Sequence, residues 1–117
     1  MTLPLNPETI AACYDFLAET PPFNKWNLPP AEDVVFRVYK SVQNRGEYLW
    51  DGEKHIIWIS AHNTKRTMAL VETMAHEMVH LHERQNGFAT SGVVYSKAFL
   101  KCAAQVCKVH GFDEAVF

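Results

Sequence analysis

The stretch Met74-Ala75-His76-Glu77-Met78-Val79-His80 decides how the rest of the chain is read. It spells His-Glu-x-x-His inside a segment of helical periodicity. At about 100° per residue, His76 and His80 lie about 40° apart and one turn from each other, so both imidazoles share one face. Two imidazoles at that spacing suit one zinc ion at the usual ligand distance of about 2.0–2.1 Å. Glu77 is about 100° round from His76. It flanks such a site rather than entering the ligand set, which is where a general base for an activated water belongs. Met74, Ala75, Met78 and Val79 give the segment the apolar surface of a helix packed into a core. A solvated His/Glu face on a surface helix is the plain alternative.

Outward from this segment, the pattern predicts a long helix from Asn63 or Thr64, either of which can cap it, to about Gln85. Asn86-Gly87 then ends it. Upstream, Asp51-Gly52 between Glu47–Trp50 and His55–Ser60 is a strong hairpin signal. Val34–Lys40 reads as a further strand, with Val34, Phe36 and Val38 on one face. The run Ile56 to Ser60 is almost wholly apolar. It predicts a well-buried strand; by analogy with zincins, which the His-Glu-x-x-His motif resembles, it is also the expected edge for an extended peptide to pair with.

Residues 6 to 19 predict a first helix, capped by Asn6 with Pro7 at its first position. Its buried stripe is Ile10, Cys13, Tyr14 and Leu17. Pro21-Pro22 and Pro29-Pro30 make residues 20 to 30 an irregular crossing, pinned by Phe23, Trp26 and Leu28. A last helix is expected from about Val93 to His110, ended by Gly111. Tyr95, Phe99, Cys102, Val106 and Val109 are its apolar stripe. The expected class is α+β: an N-terminal helix, a small three-stranded sheet with a hairpin, a long helix carrying the motif and a C-terminal helix.

Composition bounds the function. A chain of 117 residues, 48% hydrophobic and 21% charged, fits one ordinary globular domain spanning 1–117. The formal net charge of −2 speaks against binding nucleic acid by bulk charge. No apolar run approaches the roughly 20 residues of a membrane span, and the first residues lack the form of a signal peptide. A cytoplasmic location is the expectation. Three cysteines without knuckle spacing argue against a disulfide framework. Cys102 and Cys107 point about 140° apart on a helix, so Cys13, Cys102 and Cys107 read as small hydrophobes.

A catalytic zinc held by two histidines needs at least one further protein ligand. Glu83 shares the face of His76 to within about 20° but lies further along the axis. It is open as a ligand, as an acceptor for an imidazole N–H, or as a solvated carboxylate, the commonest state for such a residue. His82 points about 120° away and is a poor ligand. His55, His62 and His110 are distant in sequence and read as surface or capping residues, His110 at a helix C-terminus where positive charge is favoured.

With these residues in place, the chain resembles the SprT-like (Spartan-type) zinc metallopeptidases. That resemblance covers about residues 6 to 112. It rests on His76-Glu77-x-x-His80, on the hairpin Tyr48-Leu49-Trp50-Asp51-Gly52 through Ile59, on Tyr95-Ser96-Lys97-Ala98-Phe99 and on Cys107-Lys108-Val109-His110-Gly111-Phe112. Only the first is specific; the others are order and texture. The resemblance implies a zincin-like domain, bound Zn2+, a protein or peptide substrate and Glu77 as the catalytic base. The family's third histidine ligand falls on Tyr95, whose phenol has an ordinary pKa of about 10. Tyr95 then stands as an unusual metal ligand beside His76 and His80, or as a donor to a substrate oxyanion with a residue such as Glu83 completing the site. In the remaining case the peptidase site is weakened and Tyr95 merely packs with Phe99 and Cys102.

The downstream Cys-x-x-Cys pair of many SprT-like proteins has no counterpart here. Three other functions follow from the same features. One is an inactive binding or structural module of this fold. Another is a peptidase acting on DNA-bound proteins, with Lys97, Lys101 and Lys108 as a weak phosphate-binding stripe. The last is a repressor-cleaving peptidase of the ImmA/IrrE kind.

Overall fold

A computed structural model describes residues 5–62, 64, 66–87, 95–115 and 117. The described residues form three α-helices and a three-stranded sheet in an α+β arrangement. Helix α1 spans Pro7–Ala18, where Asn6 Oδ1 accepts from the Thr9 amide at 2.8 Å and closes the open N-terminal turn. Ile10, Tyr14 and Leu17 are fully buried, and Cys13 is half-buried. The proline-rich crossing holds a short 3-10 turn, Phe23–Lys25. Phe23 is buried there, and Trp26 and Leu28 pack against the core as expected.

The strands are β1 (Val34–Tyr39), β2 (Gly46–Trp50) and β3 (His55–Ser60). The hairpin joins β2 and β3 with Trp50 opposite His55. Asp51 Oδ1 accepts from the amides of Glu53 and Lys54, and Gly52 adopts a φ of 95° that its missing Cβ allows. β1 runs parallel to β3, so the sheet order is β1-β3-β2.

This order corrects the expectation for the apolar strand. β3 is central, with β1 on one side and β2 on the other, and has no edge to offer a peptide. Its apolarity reflects burial between neighbours rather than readiness to pair. Among the described residues, the outward edges belong to β1 and β2.

Helix α2 spans Thr67–Gln85, three to four residues later than expected. Thr64 does not cap it. Its buried hydroxyl donates to the Ser60 carbonyl at 2.5 Å and ties the connection to the end of β3. Asn63 lies outside the described residues. The far end is as read: Asn86 follows the helix, and Gly87 takes a φ of 71°. Helix α3 spans Lys97–His110 and is also shorter than expected. Ser96 is its cap, with Oγ accepting from the Phe99 amide at 3.0 Å. Tyr95 therefore precedes the helix rather than joining its stripe; Val93 and Val94 lie outside the described residues. Gly111, at φ 80°, ends α3.

One core joins the sheet to all three helices: Ile57 and Ile59 of β3, Val34 of β1, Ile10, Tyr14 and Leu17 of α1, Met74, Met78 and Leu81 of α2, Phe99 and Val106 of α3. The face of α2 bearing Met74, Ala75, Met78 and Val79 is buried as the pattern required. None of the described helices is long and apolar enough to cross a membrane.

Candidate active site

α2 carries both imidazoles on one face, with ring centroids 5.0 Å apart. His76 Nδ1 donates to the Phe117 carbonyl at 3.1 Å. A carbonyl only accepts, so Nδ1 holds the proton and Nε2 keeps its lone pair. His80 Nδ1 faces Glu83 Oε1 at 3.6 Å. Both rings thus have their Nδ1 side engaged by an acceptor, the arrangement that orients metal-binding histidines. Phe99 of α3 backs them, stacked on His80 at 4.3 Å and edge-on to His76 at 5.2 Å.

Burial disfavours protonation of both histidines. It lowers the pKa of His76 to about 4, helped by the neighbouring His80 and opposed by the Phe117 carbonyl. It lowers that of His80 as well, against the opposing pull of Glu83. Two imidazoles held neutral are available as lone-pair donors.

Glu83 is not the solvated carboxylate that its position suggested. It is 7% exposed, accepts from the Ser96 hydroxyl, and presents its other oxygen towards His80. One carboxylate thus links the α2 imidazole to the residue capping α3. Of the three readings open for Glu83, its burial overturns the solvated one.

Tyr95 lies against both histidines, with ring centroids 5.7 Å from His76 and 5.8 Å from His80. It is half-exposed and also packs on Phe99, with ring centroids 4.9 Å apart. The other histidines are occupied elsewhere. His82 stacks on Trp26 at 4.1 Å. His55 bonds the Tyr48 hydroxyl at 2.5 Å. His110 Nε2 lies 3.1 Å from Thr20 Oγ1 and 2.9 Å from the Pro21 carbonyl, and His62 is exposed. Among the described residues, no three His, Cys, Asp or Glu side chains converge on a metal-sized site. The rings of His76, His80 and Tyr95 lie against one another, with centroids 5.0 to 5.8 Å apart.

Glu77 is 4% exposed and lines a cavity of about 190 Å³ with Asn44, Arg45, Gly46, Thr73, His76 and Tyr95. Its pKa is pushed up to about 8, first by burial and then by Glu47, with Arg45 pulling the other way. A buried carboxyl of raised pKa at the wall of a cavity beside two neutral imidazoles has the features of a functional group. Thr73 Oγ1 is buried at the same wall without a hydrogen-bond partner among the described residues. Arg45, whose guanidinium pairs with Glu72 at 3.1 Å, supplies positive charge at the rim.

The site depends on a glycine that the motif does not announce. A Cβ at Gly46 would lie 2.8 Å from Thr73 Cγ2, 3.0 Å from Glu77 Oε2 and 3.0 Å from the Trp58 carbonyl. Gly46→Ala is therefore expected to displace the Glu77 carboxylate and to cost about 1–3 kcal/mol of stability. Urea unfolding of the two proteins checks this, and an unchanged midpoint would refute the close approach. Sequence reasoning missed Arg45 and Gly46, which reach Glu77 only because the start of β2 packs against α2, and Thr73, which lies one turn before Glu77 on the same face of α2 and was open to helix geometry. It also missed the Phe117 carbonyl, for which no local signal exists. Comparison with family models and with curated protein sequences finds no match to this chain.

Proposed function

We propose that this chain is a zincin-like, SprT-like zinc metallopeptidase, cutting peptide bonds of a protein substrate at the face of α2. The observation that carries the reading is the pairing of His76 and His80, each with its Nδ1 side engaged, beside a buried Glu77 on a cavity wall. His76 and His80 would hold the zinc through Nε2, with the phenol of Tyr95, whose ring lies against both, as the candidate third donor. The bound metal would supply Lewis acidity for polarising the scissile carbonyl and activating water. Glu77, whose ionised form the positive charge of a bound metal would favour, takes the proton from the attacking water on its carboxylate and passes it to the leaving amine. Phe117 and Glu83 hold the two imidazoles in orientation. The outer edge of β2, whose Gly46 abuts Glu77, is the strand edge nearest this chemistry and replaces β3 as the place for an extended substrate.

A second reading, a binding or structural module that has lost catalysis, is favoured by Tyr95 standing where a third histidine would ligate. Zinc per chain separates the two. The parent is expected to hold about one zinc, with His76→Ala and His80→Ala holding little. A Tyr95→Phe variant that loses zinc makes the phenol a ligand. One that retains zinc but hydrolyses casein poorly makes it a donor to the oxyanion. A parent that binds no zinc supports the inactive module.

The lysines Lys97, Lys101 and Lys108 are exposed along one side of α3. A role for them on DNA-bound substrates predicts affinity for duplex DNA that falls steeply with salt. Fluorescence anisotropy showing no binding at low salt would remove that role.

A further inference from the structure

His76, Tyr95 and Phe117 line two cavities, not one. The polar one, described above, lies on the Glu77 side. The second has a volume of about 220 Å³ and extends along α3, where Phe99, Leu100 and Ala103 form its wall and Glu114 and Ala115 close it. Leu100 is a large aliphatic residue left 56% exposed at its lip, and Tyr95 is 50% exposed between it and the polar cavity.

We infer that this second cavity binds an apolar amino-acid side chain, of the size of leucine or phenylalanine, from the peptide whose neighbouring amide sits at the Glu77 cavity. The inference deepens the peptidase reading and rests on it for the word substrate. Three observations carry it. The wall is formed mainly by Phe99, Leu100, Ala103, Ala115 and Phe117, which offer apolar surface and few groups needing hydrogen bonds. The volume suits one such side chain, since a cavity of about 150 Å³ accommodates benzene. His76 and Tyr95 belong to both cavities, so a peptide with a carbonyl at the polar side has its adjacent side chain within reach of the apolar side. Leu100 is the first residue an entering side chain meets. Replacing exposed Leu100 by an apolar-to-charged change alters the lip without touching a candidate ligand or Glu77.

The test uses the full chain and three small probes: N-acetyl-leucinamide, N-acetyl-glutaminamide and N-acetyl-lysinamide. In ¹H–¹⁵N spectra, the leucine probe is expected to shift resonances around Leu100 and Ala103, the glutamine probe to shift them far less, and Leu100→Arg to weaken the leucine probe about tenfold. Ala103→Trp, which fills the cavity, is expected to do the same. Should Ala103→Trp not fold, Leu100→Arg alone decides. Absence of leucine-probe binding overturns the inference. Tighter binding of the lysine probe, lost in Glu114→Gln, also overturns it and assigns the cavity to a cationic side chain.

The zinc-loaded parent is then given casein, and its cuts are expected to cluster beside apolar residues. That bias should fade in Leu100→Arg at unchanged zinc content. Leucine-probe binding without any cleavage supports the side-chain site and overturns the peptidase reading, so the two failures are distinct.

Discussion

Glu77→Gln is expected to lower peptide hydrolysis by roughly 10²- to 10⁴-fold, the contribution of a positioned general base, while zinc content stays near that of the parent. The amide keeps the size of the carboxyl beside Gly46 but has no basic oxygen to take the water proton. Hydrolysis surviving at more than a tenth of the parental rate would remove Glu77 from the chemistry.

The same substitution has a second, independent signature in the metal-free protein. The folded chain holds Glu77 protonated up to about pH 8, against an ordinary carboxyl value of 4.5. Between these values the unfolded chain binds fewer protons than the folded one at this residue, so its contribution to stability falls as pH rises. His76 acts in the opposite sense. Its folded value of about 4 lies below the unfolded 6.5, so stability from this group rises with pH up to 6.5. Above pH 6.5 the Glu77 effect stands alone of these two. The parent is expected to lose about 1–2 kcal/mol between pH 6.5 and pH 8, and Glu77→Gln to lose much less. Urea melts of both proteins at the two pH values measure it. Equal slopes would mean that Glu77 is ionised in the folded protein throughout.

Glu83→Ala is expected to weaken zinc binding about 10- to 100-fold, the usual effect of removing the acceptor behind a metal-binding imidazole. The change strips His80 of the carboxylate facing its Nδ1 and leaves the Ser96 hydroxyl without its acceptor. Ser96→Ala provides the comparison. It removes the cap of α3 and is expected to cost about 0.5–2 kcal/mol of stability, with a smaller effect on zinc because Glu83 still faces His80. Competition with a chromophoric chelator gives the affinities, and thermal melts give the stabilities. If Glu83→Ala binds zinc as the parent does and only the melting temperature falls, the carboxylate serves the α2–α3 junction and not the metal.

Much of this protein is written locally. The helix bearing His76, Glu77 and His80, the Asp51-Gly52 hairpin and the Asn6-Pro7 start of α1 were legible because each rests on interactions within a few residues. So was the common face of the two imidazoles, which follows from helix geometry alone. The two misread helix starts share a cause. Thr64 looked like a cap, yet its hydroxyl is drawn to the end of β3. Tyr95 looked helical, yet Ser96 starts α3 one residue later. In both places a polar side chain had more than one backbone partner to choose from, and local propensity is a weak arbiter of that choice.

The tertiary structure alone decided what depends on elements far apart in sequence. Pairing with β1 on one side and β2 on the other made β3 central and left the outward edges to β1 and β2. Packing of α2 against that strand set the Glu77 carboxylate against Gly46. Docking of α3 turned Glu83 from a surface carboxylate into the link between His80 and Ser96, and brought Tyr95 to the two imidazoles. Periodicity reports which face of a helix is apolar, but which side chain from another element meets that face depends on packing that no local stretch encodes.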